Sequence, residues 1–209
     1  MRKKMAVLLC CALFFFPACH CSAEDAVSSA TLNISAVPAL SAHDGASTLV
    51  IWFSTDDTVK AAALTAADAL GADAFEIIPE EPYTEADLAY YTDCRADQEQ
   101  ADNAARPEIA QWPESLEQYQ TILIGYPIWH GQAPKILYTL FEGIDVSGKT
   151  IIPFCTSASS GAGSSADQLR KMTDSTTHWA DVKRIDNHST AEDIRSWALS
   201  LNLTEGDLK

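Results

Sequence analysis

Residues 119–165 read YQTILIGYPIWHGQAPKILYTLFEGIDVSGKTIIPFCTSASSGAGSS. Residues 119–128 form a strand pattern. Residues 134–141 follow as a helix, opened by Pro134 at a first helical position and closed by Gly143. Residues 149–156 form the next strand. A strand, a crossover helix and a second strand make a unit whose strands run parallel.

The same alternation extends in both directions. Upstream, residues 48–54 (TLVIWFS) are nearly continuous apolar, as expected of a strand covered on both faces. Residues 58–70 place Ala and Leu at helical spacing until Gly71 ends the run. Residues 75–78 form a short second strand. Residues 79–113 are long, polar and acidic, with one helix expected over 85–105. Downstream come a helix over 164–172, a weak fifth strand over 182–185 and a closing helix over 191–201. Thr190 with Asp193 three residues on resembles a capping box at that last helix. The pattern predicts an α/β domain with helices on both faces of a parallel sheet.

The N-terminal end reads as an export signal. Arg2, Lys3 and Lys4 precede an apolar run from Met5 to Phe16, which is too short to span a bilayer. Pro17-Ala18-Cys19 resembles a bacterial lipobox, which would lipidate Cys19; ordinary cleavage after Ala23 is the alternative. The expected organisation is a signal peptide over 1–23, a Ser/Ala-rich flexible tether over 24–47 and one domain over 48–205. Leu32, Ile34 and Val37 leave open an added strand or lid in place of a tether. The expected location is outside the cytoplasm, membrane-anchored through Cys19 or secreted.

Without Arg2, Lys3 and Lys4 the chain keeps 11 Lys+Arg against 29 Asp+Glu, a net of −18. That balance argues against nucleic acid, whose binding rests on neutralising phosphates, and against docking on an anionic membrane through the folded domain. Only Cys94 and Cys155 lie in the body of the chain, so there is no disulfide framework, although an exported protein permits a bridge between these two. No CxxC, HExxH or paired-histidine spacing appears, so no metal site is expected.

Ligands of open parallel sheets bind beyond the carboxyl ends of the strands. Three such ends carry unusual loops. In GYPIWHGQAP (125–134), Tyr126, Trp129 and His130 crowd a turn between Gly125 and Gly131. Trp129 either stacks on a flat heteroaromatic ligand or packs under the next loop. In TSASSGAGSS (156–165), Gly161 and Gly163 permit positive φ and close approach of a ligand, and Ser164 or Ser165 can cap the next helix. The third loop is FSTDDT (53–58).

These residues resemble the flavodoxin-like proteins, in particular a bacterial group often exported or lipid-anchored. That group runs close to GYPIWWG.AP and then FSGKTI.PF.TSG.SG.G; here the chain reads GYPIWHGQAP and DVSGKTIIPFCTSASSGAGSS. Residues 95–100 (RADQEQ) and 105–109 (ARPEI) carry the same resemblance. It implies a three-layer sandwich around a five-stranded parallel sheet in the order 2-1-3-4-5, with FMN at the switch point. By position, Ser54, Thr55 and Thr58 would hold the FMN phosphate. Pro127, Ile128, Trp129, His130 and Gly131 would line one side of the isoalloxazine. Thr156, Ser157, Ala158, Ser159, Gly161 and Gly163 would offer backbone N–H groups to its polar edge. The function implied is extracytoplasmic electron transfer or quinone-reductase-like chemistry, with a redox partner protein or small-molecule acceptor that the sequence does not identify. A non-redox binding protein on the same fold is the alternative.

Two departures stand out. His130 replaces a tryptophan of the pattern; it can stack or donate to reduced flavin, or face solvent as a plain loop residue. The family turn reads roughly FS.TGNT, whereas FSTDDT is one residue shorter and carries Asp56 and Asp57. A helix dipole favours a phosphate by roughly 0.3–1 kcal/mol, up to about 2 when partly buried. Each backbone N–H bond to it adds about 1.5–3 kcal/mol. A like charge about 4 Å away opposes binding by about 4 kcal/mol at an effective dielectric of 20. One inward carboxylate therefore cancels much of the gain. Asp56 is also a good N-cap and competes for the N–H groups a phosphate would use. Either the turn holds the phosphate with both carboxylates turned away, or it caps itself.

Overall fold

The first strand, β1 (Thr48–Trp52), is buried along its whole length. Its side chains feed two cores by simple alternation. Leu49, Ile51 and, beyond the strand, Phe53 face one cluster, while Val50 and Trp52 face the other. The computed structural model describes residues 46–157, 161–186 and 188–203. The expected signal peptide, Cys19, residues 24–45 of the expected tether, Ala158 and Ser159 lie outside the described residues.

α1 (Asp57–Leu70) follows and stops at Gly71, whose φ of 59° suits glycine. β2 (Asp73–Glu76), β3 (Thr121–Pro127) and β4 (Thr150–Thr156) complete the body of the sheet. Among the described residues every pairing between these sheet strands is parallel. The spatial order is 2-1-3-4-5, as the resemblance implied. The fifth position holds two pieces. β5 (His178–Trp179) pairs with the start of β4, and β6 (Lys183–Ile185) pairs with its end. The sequence pattern marks only the second piece, because a two-residue strand has no period to read.

The sheet is covered on both faces. α1 and α5 (Ala191–Ser200) pack on one side, over Val50, Leu123, Ile152 and Phe154. α3 (Lys135–Gly143), α4 (Ser165–Arg170) and the segment after β2 cover the other. Thr190 and Asp193 form the expected capping box of α5.

The segment after β2 departs from expectation. In place of one helix over 85–105 it has a 3-10 turn at Ala86–Leu88 and a seven-residue helix, α2 (Arg95–Ala101). Local carboxylates start each turn separately. Asp87 accepts from the Thr84 N–H at 2.8 Å, and Asp97 accepts from the N–H groups of Thr92 and Cys94 at 3.1 and 3.3 Å. Between them Tyr91 and Asp93 take left-handed φ values of 67° and 61°, which break any continuous helix. An antiparallel bridge between Pro79 and Ile109 closes the neck of the segment.

Candidate functional site

Trp52, Gly125 and Phe154 stand in register across β1, β3 and β4. The three loops that follow them therefore emerge side by side. They do so where β1 has β2 on one flank and β3 on the other, so that the chain steps one way across the sheet and then the opposite way, the position at which strand order reverses. A cleft of about 340 Å³ lies there. Thr55, Asp56 and Thr58 line one end, Thr156 and Ser157 another, and Pro127, Ile128 and Trp129 a wall. Leu88 and Tyr90 of the segment after β2 complete it. The volume is of the order of a small-molecule site, about 300–1,000 Å³.

The turn after β1 caps itself. Asp56 is the N-cap of α1, and its Oδ1 accepts from the Thr58 N–H at 2.8 Å. The Ser54 hydroxyl donates to the Asp56 carbonyl. The Asp56 N–H reaches back toward Ser54 Oγ at 3.3 Å. Asp57 occupies the first helical position, where a carboxylate suits the dipole. Lys60, the nearest cation in sequence, is paired with Glu76 at 3.0 Å. Ser54 and these charges line a second cavity of about 290 Å³ that shares Thr55 and Asp56 with the first.

The loop after β3 is a tight reversal. Trp129 and Gln132 exchange backbone hydrogen bonds of 3.0 and 2.9 Å around His130 and Gly131, whose φ values are 49° and 74°. Positive φ at both central residues is the signature of a type I′ turn. The Trp129 ring is only 3% exposed. It meets the edges or faces of Phe53, Tyr83 and Tyr90 at centroid distances of 5.5, 5.2 and 6.2 Å. It is thus packed under neighbouring aromatics while still lining the cleft. His130 does not line the cleft, nor is it an idle solvent residue. Its Nε2 meets Asp97 Oδ1 at 2.7 Å, and its ring sits between Tyr90 and Tyr91. The bond from His130 helps hold the Asp97 carboxyl below its ordinary range, against a larger opposing effect of burial.

The loops after β3 and β4 are tied together. The Ile128 N–H donates to the Thr156 carbonyl at 2.9 Å. Gly163, at φ 56°, lies so close that a Cβ there would stand 2.6 Å from the Gly131 carbonyl oxygen. The close approach that Gly163 permits is to another loop of the chain. Gly161 has open space on its Cβ side. Neither Ser164 nor Ser165 caps α4 with its side chain. The Ser165 hydroxyl is spent on the buried Tyr126 phenol, 3.1 Å away. Burial pushes that phenol up, so it stays protonated. Cys94 and Cys155 are free thiols, and burial pushes Cys155 up to about 11.

Sequence reasoning missed the support that the segment after β2 gives. Gln100 is 5% exposed. Its Nε2 donates to the carbonyls of Trp129 and Ala133 at 3.2 and 3.3 Å, and its Oε1 accepts from the Lys135 N–H at 3.1 Å. One side chain thereby clamps the turn after β3 and the first amide of α3. Arg95 lies 4.3 Å over the Tyr83 ring and bonds Glu99 at 2.7 Å, while the Tyr83 hydroxyl donates to the same carboxylate. Burial and Glu99 push the Tyr83 phenol up. Three tyrosines, Tyr83, Tyr90 and Tyr91, in an otherwise acidic polar stretch were the available signal.

Comparisons with known proteins bear on this arrangement. The sequence profile of the flavodoxin family matches residues 47–201. A candidate flavoprotein from Bacteroides eggerthii has a crystal structure with 35% identity and a TM-score of 0.68, covering 75% of this chain and 98% of its own. Another, from Bacteroides uniformis, has 35% identity and a TM-score of 0.68, covering 73% and 97%. A Lactobacillus acidophilus flavoprotein solved in complex with FMN shares 24% identity with a TM-score of 0.56, covering 66% and 93%. No curated protein sequence matches the chain.

Proposed function

The chain belongs to the flavodoxin family, and on that premise we propose that it binds FMN in the cleft beyond β1, β3 and β4 and carries electrons outside the cytoplasm. The observation that carries this reading is the convergence of three strand-end loops on one cleft at the switch point. The ring end fits a flavin. Leu88, Tyr90, Pro127, Ile128 and Trp129 give an apolar or aromatic wall, and Thr156 and Ser157 give polar groups at its edge. The bound flavin supplies the redox chemistry, and the chain supplies binding and orientation. A quinone-reductase-like activity uses the same cleft with a small-molecule acceptor. Export, with lipidation at Cys19 or cleavage after Ala23, rests on the N-terminal sequence pattern.

Purified protein titrated with FMN tests the proposal. Quenching of flavin fluorescence at a 1:1 end point, followed by reversible bleaching with dithionite, is the expected result. Absence of binding by both FMN and riboflavin would refute it. A second reading, a non-redox protein that holds a different planar ligand, draws support from the self-capped turn at Asp56. It predicts a cleft that binds no flavin.

A further inference from the structure

The two ends of the cleft are not alike. The ring end is walled by apolar and aromatic side chains. The end at Thr55 and Asp56 shares those residues with a second cavity, whose charged lining is Asp56, Asp57 and Glu76 against one ammonium, Lys60, which Glu76 already holds at 3.0 Å. A phosphate placed there would need the helix N–H groups. The Thr58 N–H is bonded to Asp56 Oδ1 at 2.8 Å, so a phosphate would first have to displace a carboxylate covalently held beside it. The Ser54 hydroxyl is likewise engaged, donating to the Asp56 carbonyl. Displacing Asp56 does not remove its charge. The carboxylate would remain within a residue of the incoming dianion, and Asp57 follows it in the chain. Like charges at such distances repel strongly even at an effective dielectric near 20.

We infer that this cleft recognises a flavin through its ring and sugar chain and gains almost nothing from the terminal phosphate, so that it accepts phosphate-free flavins as readily as FMN. The inference rests on the flavin reading above and narrows it. The phosphate-binding turn has become a helix cap, and specificity has moved to the walls supplied by the loop after β3 and the segment after β2. The ligand class is therefore neutral-tailed flavins together with FMN.

The experiment is a fluorescence titration of the full chain with FMN and, in parallel, riboflavin. The expected ratio of riboflavin Kd to FMN Kd is below tenfold. A ratio of tenfold or more in favour of FMN overturns the inference and leaves the flavin reading standing. Failure of both ligands to bind overturns the flavin reading and the inference with it. The double variant Asp56→Gly, Asp57→Asn frees the N–H groups and removes both charges. FMN should then bind at least tenfold tighter than to the unaltered protein, with riboflavin unchanged; equal FMN affinity before and after overturns the assignment to these carboxylates. Asp56→Ser keeps a helix cap while removing one charge. It gives the same readout, in the same direction, should the glycine variant fail to fold. Circular dichroism melts identify that case.

Discussion

Replacing Gln100 with methionine keeps the volume of the side chain and removes all three of its hydrogen bonds. The carbonyl of Trp129 retains the Gln132 N–H at 2.9 Å. The loss therefore falls on the Ala133 carbonyl and the Lys135 N–H, which Gln100 serves at 3.3 and 3.1 Å. The site is buried, and an isosteric side chain leaves no room for a replacing water. Each orphaned polar group costs about 1–3 kcal/mol, so Gln100→Met should lose about 2–6 kcal/mol of folding stability. Urea unfolding followed by circular dichroism reads this directly. At a slope of about 2 kcal/mol/M, the midpoint should fall by roughly 1–3 M with the slope unchanged. Flavin affinity should fall with it, because the wall formed by Trp129 hangs on the clamped turn. A loss of less than about 0.5 kcal/mol would refute the reasoning, showing that the turn and the first amide of α3 find other partners without Gln100.

Further outcomes are expected elsewhere. Gly163→Ala should cost about 2 kcal/mol or more, from left-handed φ and from contact with the Gly131 carbonyl. Gly161→Ala meets open space and should change stability by less than about 0.5 kcal/mol; paired thermal melts compare them. Cys94 and Cys155 should resist iodoacetamide at pH 8 in the folded protein and react after denaturation, as peptide mass mapping would show, since both are buried and the Cys155 thiol sits at about 11. Hydrogen bonds from Thr176 and Ser147 hold the Asp174 carboxyl down at about 2. A folded-state value below the unfolded one of about 3.9 stabilises the fold fully above that pH, and the contribution is lost as pH falls toward 2. Urea midpoints of Asp174→Asn should therefore lie below those of the unaltered protein near pH 6 and converge on them as pH drops through this window.

Much of the architecture was readable along the chain because parallel sheets demand local patterns. A strand buried on both faces must be apolar throughout, as 48–54 is, and a crossover helix must show its own period, as 58–70 does. Glycine at a positive-φ stop was equally legible at Gly71, and the capping box at Thr190 and Asp193. The segment at 79–113 was not. Its helix is seven residues long, and its breaks come from carboxylates that bond backbone amides a few residues away. Acidic residues of that kind look the same in sequence whether they line a helix or start one.

The strand-end loops divide in the same way. Sequence named the loops, since glycine, proline and aromatic residues after a buried strand have few other uses. It also posed the alternatives for Asp56 and His130. Tertiary structure decided which groups those side chains meet. Asp56 turns onto the Thr58 N–H, and His130 turns onto Asp97, thirty-three residues distant in the chain. Local patterning follows from backbone geometry and burial, which act over a few residues and leave their period in the chain. The pairing of His130 with Asp97, of Gln100 with the turn after β3, and of Gly163 with Gly131 depends on segments that become neighbours only when the sheet closes its register.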